Sequence, residues 1–186
     1  MSDIAIYDHD TDIKEVKDYI LRHGRRTDVQ RNEYIVRTGE ASGNLILIRR
    51  GAFKCTRTDY RGRERIIALA FKDELMGNFL STRMKVPSLF DIVAIEPSTV
   101  YALDLADHAD FLMRCIDGSK YVRPFVEALA FNHLQKAVSL ACRSPWEILD
   151  ELQQRVPGVF QRINMKDIAA YIGVSPETLS RRLADT

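Results

Sequence analysis

The chain has 186 residues, 46% of them hydrophobic and 28% charged, an ordinary globular composition that argues against disorder. Its formal net charge of +1 supplies no global pull toward nucleic acid. No apolar run approaches the roughly 20 residues a membrane span needs, and the acidic start MSDIAIYDHD lacks a signal-peptide core, so a cytoplasmic protein with no membrane partner is expected.

The first predicted element is a helix from Ile13 to about Arg25, because Ile13, Val16, Tyr19 and Ile20 recur at helical spacing and Gly24 supplies a stop. The period then changes to two. Tyr34 to Arg37, Leu45 to Ile48, Phe53 to Thr58 and Ile66 to Phe71 read as short strands, separated by Gly39, Gly43, Gly51 and the turn Asp59-Tyr60-Arg61-Gly62. Ile92–Ile95 and Thr99–Leu103 make a further pair around Glu96-Pro97-Ser98. Closely spaced strands with glycine turns predict an all-β roll or sandwich. Within it Arg49, Arg50, Lys54, Arg57, Arg61, Arg63 and Arg65 face only Asp59 and Glu64, which makes either a solvated strand face or a phosphate-binding patch.

Beyond Leu105 the pattern is helical. A short helix is expected near Ala109–Cys115, then a long one over roughly Tyr121 to Cys142 with the apolar stripe Val122, Val126, Leu129, His133, Ala137 and Leu140. At 1.5 Å per residue that stripe runs about 30 Å, more than a small β-domain needs, and its spacing suits a second helix in a dimer. Ser144-Pro145-Trp146-Glu147 then marks a boundary. Ser144 can cap a new helix, Pro145 fits its first turn, and Glu147 can complete a capping box, so a hinge between domains is expected there.

The stretch Ile163 to Leu183 carries the clearest pattern. Asn164 can cap a helix through Asp167 to Ile172, with Ile168, Ala169 and Ile172 facing inward and Gly173 ending it. Ser175 can cap the next helix, Pro176 opens it, and Leu179 and Leu183 face its core. Two short helices about a tight turn form a helix-turn-helix, whose second helix fits the major groove. Glu177, Ser180, Arg181 and Arg182 remain outward: Glu accepts from cytosine N4, Arg forks onto guanine O6 and N7, and Ser bonds bases or phosphate. With the cap and first-turn residues, the candidate DNA contacts are Ser175, Glu177, Thr178, Ser180, Arg181 and Arg182.

Gly39-Glu40, Leu45-Ile46-Leu47-Ile48-Arg49-Arg50-Gly51, Gly62-Arg63-Glu64 and Lys72-Asp73-Glu74-Leu75-Met76-Gly77 fall in the order of landmarks in the CRP/FNR family of transcription regulators. The run Asp167-Ile168-Ala169-Ala170-Tyr171-Ile172-Gly173-Val174-Ser175-Pro176-Glu177-Thr178-Leu179-Ser180-Arg181 is similar to that family's helix-turn-helix. The resemblance implies an α+β chain: an N-terminal double-stranded β-helix (β-roll) sensor domain over 1–118, a long dimerisation helix over 119–143, and a helix-turn-helix domain over 144–186. It further implies a homodimer on a palindromic double-stranded DNA operator, read in the Glu-x-x-Ser-Arg manner of the FNR branch. RNA polymerase and a small-molecule effector stand as candidate partners.

The pattern departs from the family in three places. Gly77 is followed by Asn78, and the positions of the phosphate-gripping Arg-Ser pair are Ser88 and Leu89, so tight cyclic-nucleotide binding is not expected. Gly77, Asn78, Arg83 and Ser88 are what the resemblance leaves as a degenerate pocket, with Lys85 close by. No cysteine cluster stands at the N-terminus for an iron–sulfur centre, and the β-hairpin wing has no counterpart before Thr186. The segment 143–186 balances six basic against six acidic side chains, so modest non-specific DNA affinity is expected.

Cys55, Cys115 and Cys142 read as reduced, mostly buried thiols, and with His9, His23, His108 and His133 they lack metal-ligand spacing, so no metal or cofactor is expected. No nucleophile–base set, G-x-S-x-G or P-loop is present, and an enzyme is not expected. The competing reading is a ligand-sensing or protein-docking module whose helical tail does not read DNA.

Overall fold

The computed structural model describes residues 12–41, 43–77, 85–108, 134, 137–139 and 142–185. Helix α1 (Asp12–His23) leads into eight strands: β1 (Arg25–Val29), β2 (Tyr34–Val36), β3 (Asn44–Arg50), β4 (Ala52–Thr58), β5 (Glu64–Phe71), β6 (Leu75–Gly77), β7 (Asp91–Ala94) and β8 (Ser98–Asp104). Four helices follow after residue 142: α2 (Pro145–Arg155), α3 (Val159–Arg162), α4 (Met165–Ile172) and α5 (Pro176–Ala184).

The strands form two four-stranded sheets, β1-β8-β3-β6 and β2-β7-β4-β5. Antiparallel pairs β1 with β8, β2 with β7, β3 with β6, and β4 with β5 nest one inside the next, so the chain behaves as one long hairpin rolled up. Of the roll or sandwich expected from the glycine-spaced strands, that nesting makes a roll. Its interior holds Val29, Val36, Ile46, Ile48, Phe53, Cys55, Ala70, Met76, Ile92, Ala94 and Val100. Each fully buried large side chain there contributes about 1.5–3 kcal/mol by leaving water.

Both sheets are also covered from outside, which explains the unbroken apolar run in β3. Ile46 and Ile48 face the roll's interior, while Leu45 and Leu47 face outward against Val16 and Ile20 of α1. The other sheet carries helices α2 to α5. Ala52, Ile66, Leu69 and Phe71 join Ile148, Leu149, Leu152, Ile163, Ile168, Ile172 and Leu179 in one buried cluster. This covers β5, an edge strand whose unpaired backbone would otherwise template aggregation.

Several boundaries differ from the sequence expectation. Strand β1 was not expected, because Arg25, Arg26 and Asp28 leave only Val29 buried and the strand is held by its ladder to β8. Strand β6 was not expected either, because Lys72–Gly77 reads as a ligand loop. Leu183 is 39% exposed instead of facing the core, and Cys142 is exposed instead of buried. The short helix near 109–115, Cys115, and Val122, Val126, Leu129, His133 and Leu140 of the long stripe lie outside the described residues. Residues 134, 137–139 and 142 are helical.

Candidate nucleic-acid interface

The helical unit is built on its caps. Ser144 accepts from the Glu147 N–H while the Glu147 carboxylate accepts from the Ser144 N–H, the capping box read in the sequence. That exchange, with the Ser144 hydroxyl, holds the Glu147 pKa below the ordinary carboxylate range. Asn164 caps α4 by accepting from Asp167 N–H at 2.8 Å. Gly173 ends α4 at φ +85, a left-handed conformation that glycine adopts without a side-chain penalty. Ser175 then caps α5 by accepting from Thr178 N–H at 3.2 Å.

Among the residues of α5, Leu179 alone is buried, at 0% exposure, and it locks the helix against α4. Because one anchor holds the helix, its remaining surface is open. Glu177, Thr178, Ser180, Arg181 and Arg182 are all exposed. They are not equivalent. Ser175 and Thr178 hydroxyls lie 3.1 Å apart and serve the cap. Arg182 lies over the Trp146 ring at 5.6 Å, leaning back on α2. The Glu177 pKa is lowered, chiefly by the hydrogen bond from the Ser175 hydroxyl and then by its own N–H, so it presents a fully ionised acceptor at neutral pH. Ser180 and Arg181 complete the outward face.

The candidate pocket residues behave differently. Gly77 has φ +142, and a Cβ there would sit 2.3 Å from the Asn44 carbonyl oxygen, so its glycine is required by the β3–β6 ladder itself. Ser88 is 2% exposed and its hydroxyl donates to the Phe90 carbonyl, closing a turn; Leu89 beside it is 64% exposed. Asn78 and Arg83 lie outside the described residues.

The arginine-rich strands are largely neutralised. Arg63 and Arg65 bond Asp59, Arg49 bonds Asp73, Arg57 donates to the Leu89 carbonyl, and Lys54 is held by Glu64 and Asp167. Hydrogen bonds from Arg63 and Arg61 amides, with the Arg65 side chain, pull the Asp59 pKa down to about 2. The cluster thus organises the β4–β5 hairpin, and of the two readings the solvated strand face fits it better than an open phosphate patch.

One site was invisible in the sequence. Lys54 of β4 donates to Asp167 of α4 at 2.8 Å, and Arg162 donates to Glu96 at 2.5 Å, so charged side chains tie the helical unit to the roll. Arg155 donates to the Leu69 carbonyl at 2.7 Å and lies over Phe71. The boundary at Ser144, expected as a hinge, is thus followed by helices packed firmly on the β-roll.

Residues 26–115 match the family of cyclic nucleotide-binding domains. The β-roll of antiparallel sheets followed by C-terminal helices is consistent with a CRP-like fold. FixK2 from Bradyrhizobium japonicum superposes with a TM-score of 0.72 at 17% identity, over 87% of this chain and 83% of that one. A CooA mutant from Carboxydothermus hydrogenoformans gives 0.69 at 16% identity, over 97% and 86%. The Thermus thermophilus Catabolite Activator Protein gives 0.58 at 27% identity, over 97% and 86%. No curated protein sequence matches the chain. Among the described residues no helix is long and apolar enough to cross a membrane, and no group of His, Cys, Asp and Glu could hold a metal ion.

Proposed function

We propose that this chain is a non-enzymatic, dimeric transcription regulator that reads a palindromic DNA site with α5, and that it does not respond to cyclic AMP. The observation that carries the reading is the α4–turn–α5 unit, with Leu179 inward and Glu177, Ser180 and Arg181 outward on an open helix. Those side chains match the edges of cytosine and guanine in the major groove. The CRP-like fold shared with the Thermus thermophilus Catabolite Activator Protein supports it. RNA polymerase is a further partner consistent with this reading.

Selection from a random duplex pool tests it. The expected result is a palindromic motif whose guanine preference relaxes in Arg181→Ala, at about 1–3 kcal/mol of lost affinity. A folded wild-type protein that selects no motif would favour the docking-module reading.

Dimerisation is supported by the exposed apolar residues Leu134, Ala137 and Val138, which share one helical face at spacings of three and four. Leu134 is 61% exposed and Val138 53%, so in a single copy both face water. Leu134→Asp with Val138→Asp should yield monomers by sedimentation; a persistent dimer would place the interface elsewhere.

The absence of a cyclic AMP response follows from Ser88 and Leu89. A buried hydroxyl already engaged with Phe90 and an exposed leucine offer a cyclic phosphate no charge partner. Calorimetric titration with cyclic AMP should show no binding in the micromolar range; micromolar or tighter affinity would overturn this part of the proposal.

A further inference from the structure

Strands β4 and β5 serve two cores at once. Phe53, Cys55 and Ala70 belong to the roll's interior, while Ala52, Ile66, Leu69 and Phe71 belong to the cluster that holds α2 to α5. A single layer of backbone therefore separates the sensor's interior from the unit that carries α5. On this wall Lys54 follows the alternation set by Ala52, away from Phe53 and Cys55, and meets Asp167 on α4. The Lys54 side chain is 12% exposed and that of Asp167 7%. Asp167 is further held by Asn164 Nδ2 at 2.9 Å, so the cap of α4 and the tie to β4 share one carboxylate.

We propose that this docking within one chain sets the separation of the two reading helices in the dimer, and that Lys54 is the positioning residue that fixes where α4 sits on the β4–β5 wall. The inference rests on the DNA-reading proposal and adds a specificity determinant to it. The apolar contact of Ile66, Leu69 and Phe71 with the helices is non-directional and tolerates small slides. A nearly buried ion pair does not, because displacement leaves a desolvated charge without its partner. Arg162 with Glu96 adds a second charged tie, 42 positions along β-roll sequence from Lys54 to Glu96, and with Arg155 on the Leu69 carbonyl it opposes rotation about the first. In a two-fold dimer any slide of α4 enters twice. DNA rises about 3.4 Å per base pair, so a slip of about 2 Å in each protomer is worth roughly one base pair of half-site spacing.

The test compares wild type, Lys54→Met and Lys54→Arg as full chains, with duplexes whose selected half-sites are separated by one base pair more or fewer. Wild type should lose about tenfold or more in affinity per base pair of altered spacing. Lys54→Met should bind its best and its neighbouring spacings within about threefold, and Lys54→Arg should restore discrimination. Without DNA, hydrogen exchange in residues 64–71 should accelerate about tenfold or more in Lys54→Met, while Arg25–Val29 in the other sheet stays protected. Unchanged spacing discrimination in Lys54→Met overturns the proposal. Failure of wild type to select any DNA sinks the DNA-reading function and the spacing claim with it, while the exchange measurement still decides whether the dock exists. Should Lys54→Met unfold outright, Arg162→Gln, which cuts the second tie, must relax spacing in the same way or the proposal falls.

Discussion

Leu179→Ala is expected to lower stability by about 3 kcal/mol, within the roughly 2–5 kcal/mol seen for leucine truncation in cores. Leu179 is completely buried and is the one buried side chain on α5, so no neighbour on that helix can take over its place in the cluster that also holds Ile168 and Ile172. Urea unfolding followed by Trp146 fluorescence measures the effect cleanly. Trp146 is the only tryptophan in the chain and packs against the same cluster. A fall in the midpoint with an unchanged slope assigns the loss to the folded state. Leu183→Ala provides the control: at 39% exposure it should change stability by no more than about 0.5 kcal/mol. Equal effects from the two leucines would mean that α5 is rotated from its observed phase, and that Glu177, Ser180 and Arg181 do not share the outward face.

That contrast shows where the sequence was informative. The caps were legible residue by residue, because Ser144, Asn164, Gly173 and Ser175 act on backbone groups within three or four positions of themselves. The roll was legible where short apolar runs stand between glycine turns, as in β3 and β5, whose two faces are both covered. It was not legible in β1, whose polar side chains contribute little and whose pairing partners lie 69 to 77 residues away in β8. Leu183 misled because periodicity identifies a face without telling how far the covering layer extends. The basic run from Arg49 to Arg65 was ambiguous for a related reason: its partners Asp73, Leu89 and Asp167 are brought in by the fold. The dock itself could not be read at all, since Lys54 and Asp167 are 113 positions apart and each alone is an ordinary surface residue type.

Lys54→Met is the second substitution with a large expected effect, about 3 kcal/mol of destabilisation at neutral pH. Burial by itself would push the Lys54 ammonium down. Hydrogen bonds to Asp167 and Glu64, with their charges, outweigh this and hold its pKa above the ordinary 10.5. A basic group whose folded pKa is raised contributes stability that is intact below its unfolded value and lost as pH rises through the folded one. The contribution of Lys54 should therefore be flat through neutral pH and decline only above about 10.5, a decline that Lys54→Met abolishes. Most of the cost arises from Asp167, left with Asn164 as its remaining donor in a site that water barely reaches. If so, Lys54→Met with Asp167→Asn should recover about 2 kcal/mol relative to Lys54→Met alone, because the stranded charge is removed while the Asn164 contact can be kept. A double variant no more stable than the single one would mean that Lys54 acts through Glu64 or through packing of its stem. Recovery in the double variant would show that the tie adds little net stability, and that what it adds is a defined position for α4, the property on which half-site spacing depends.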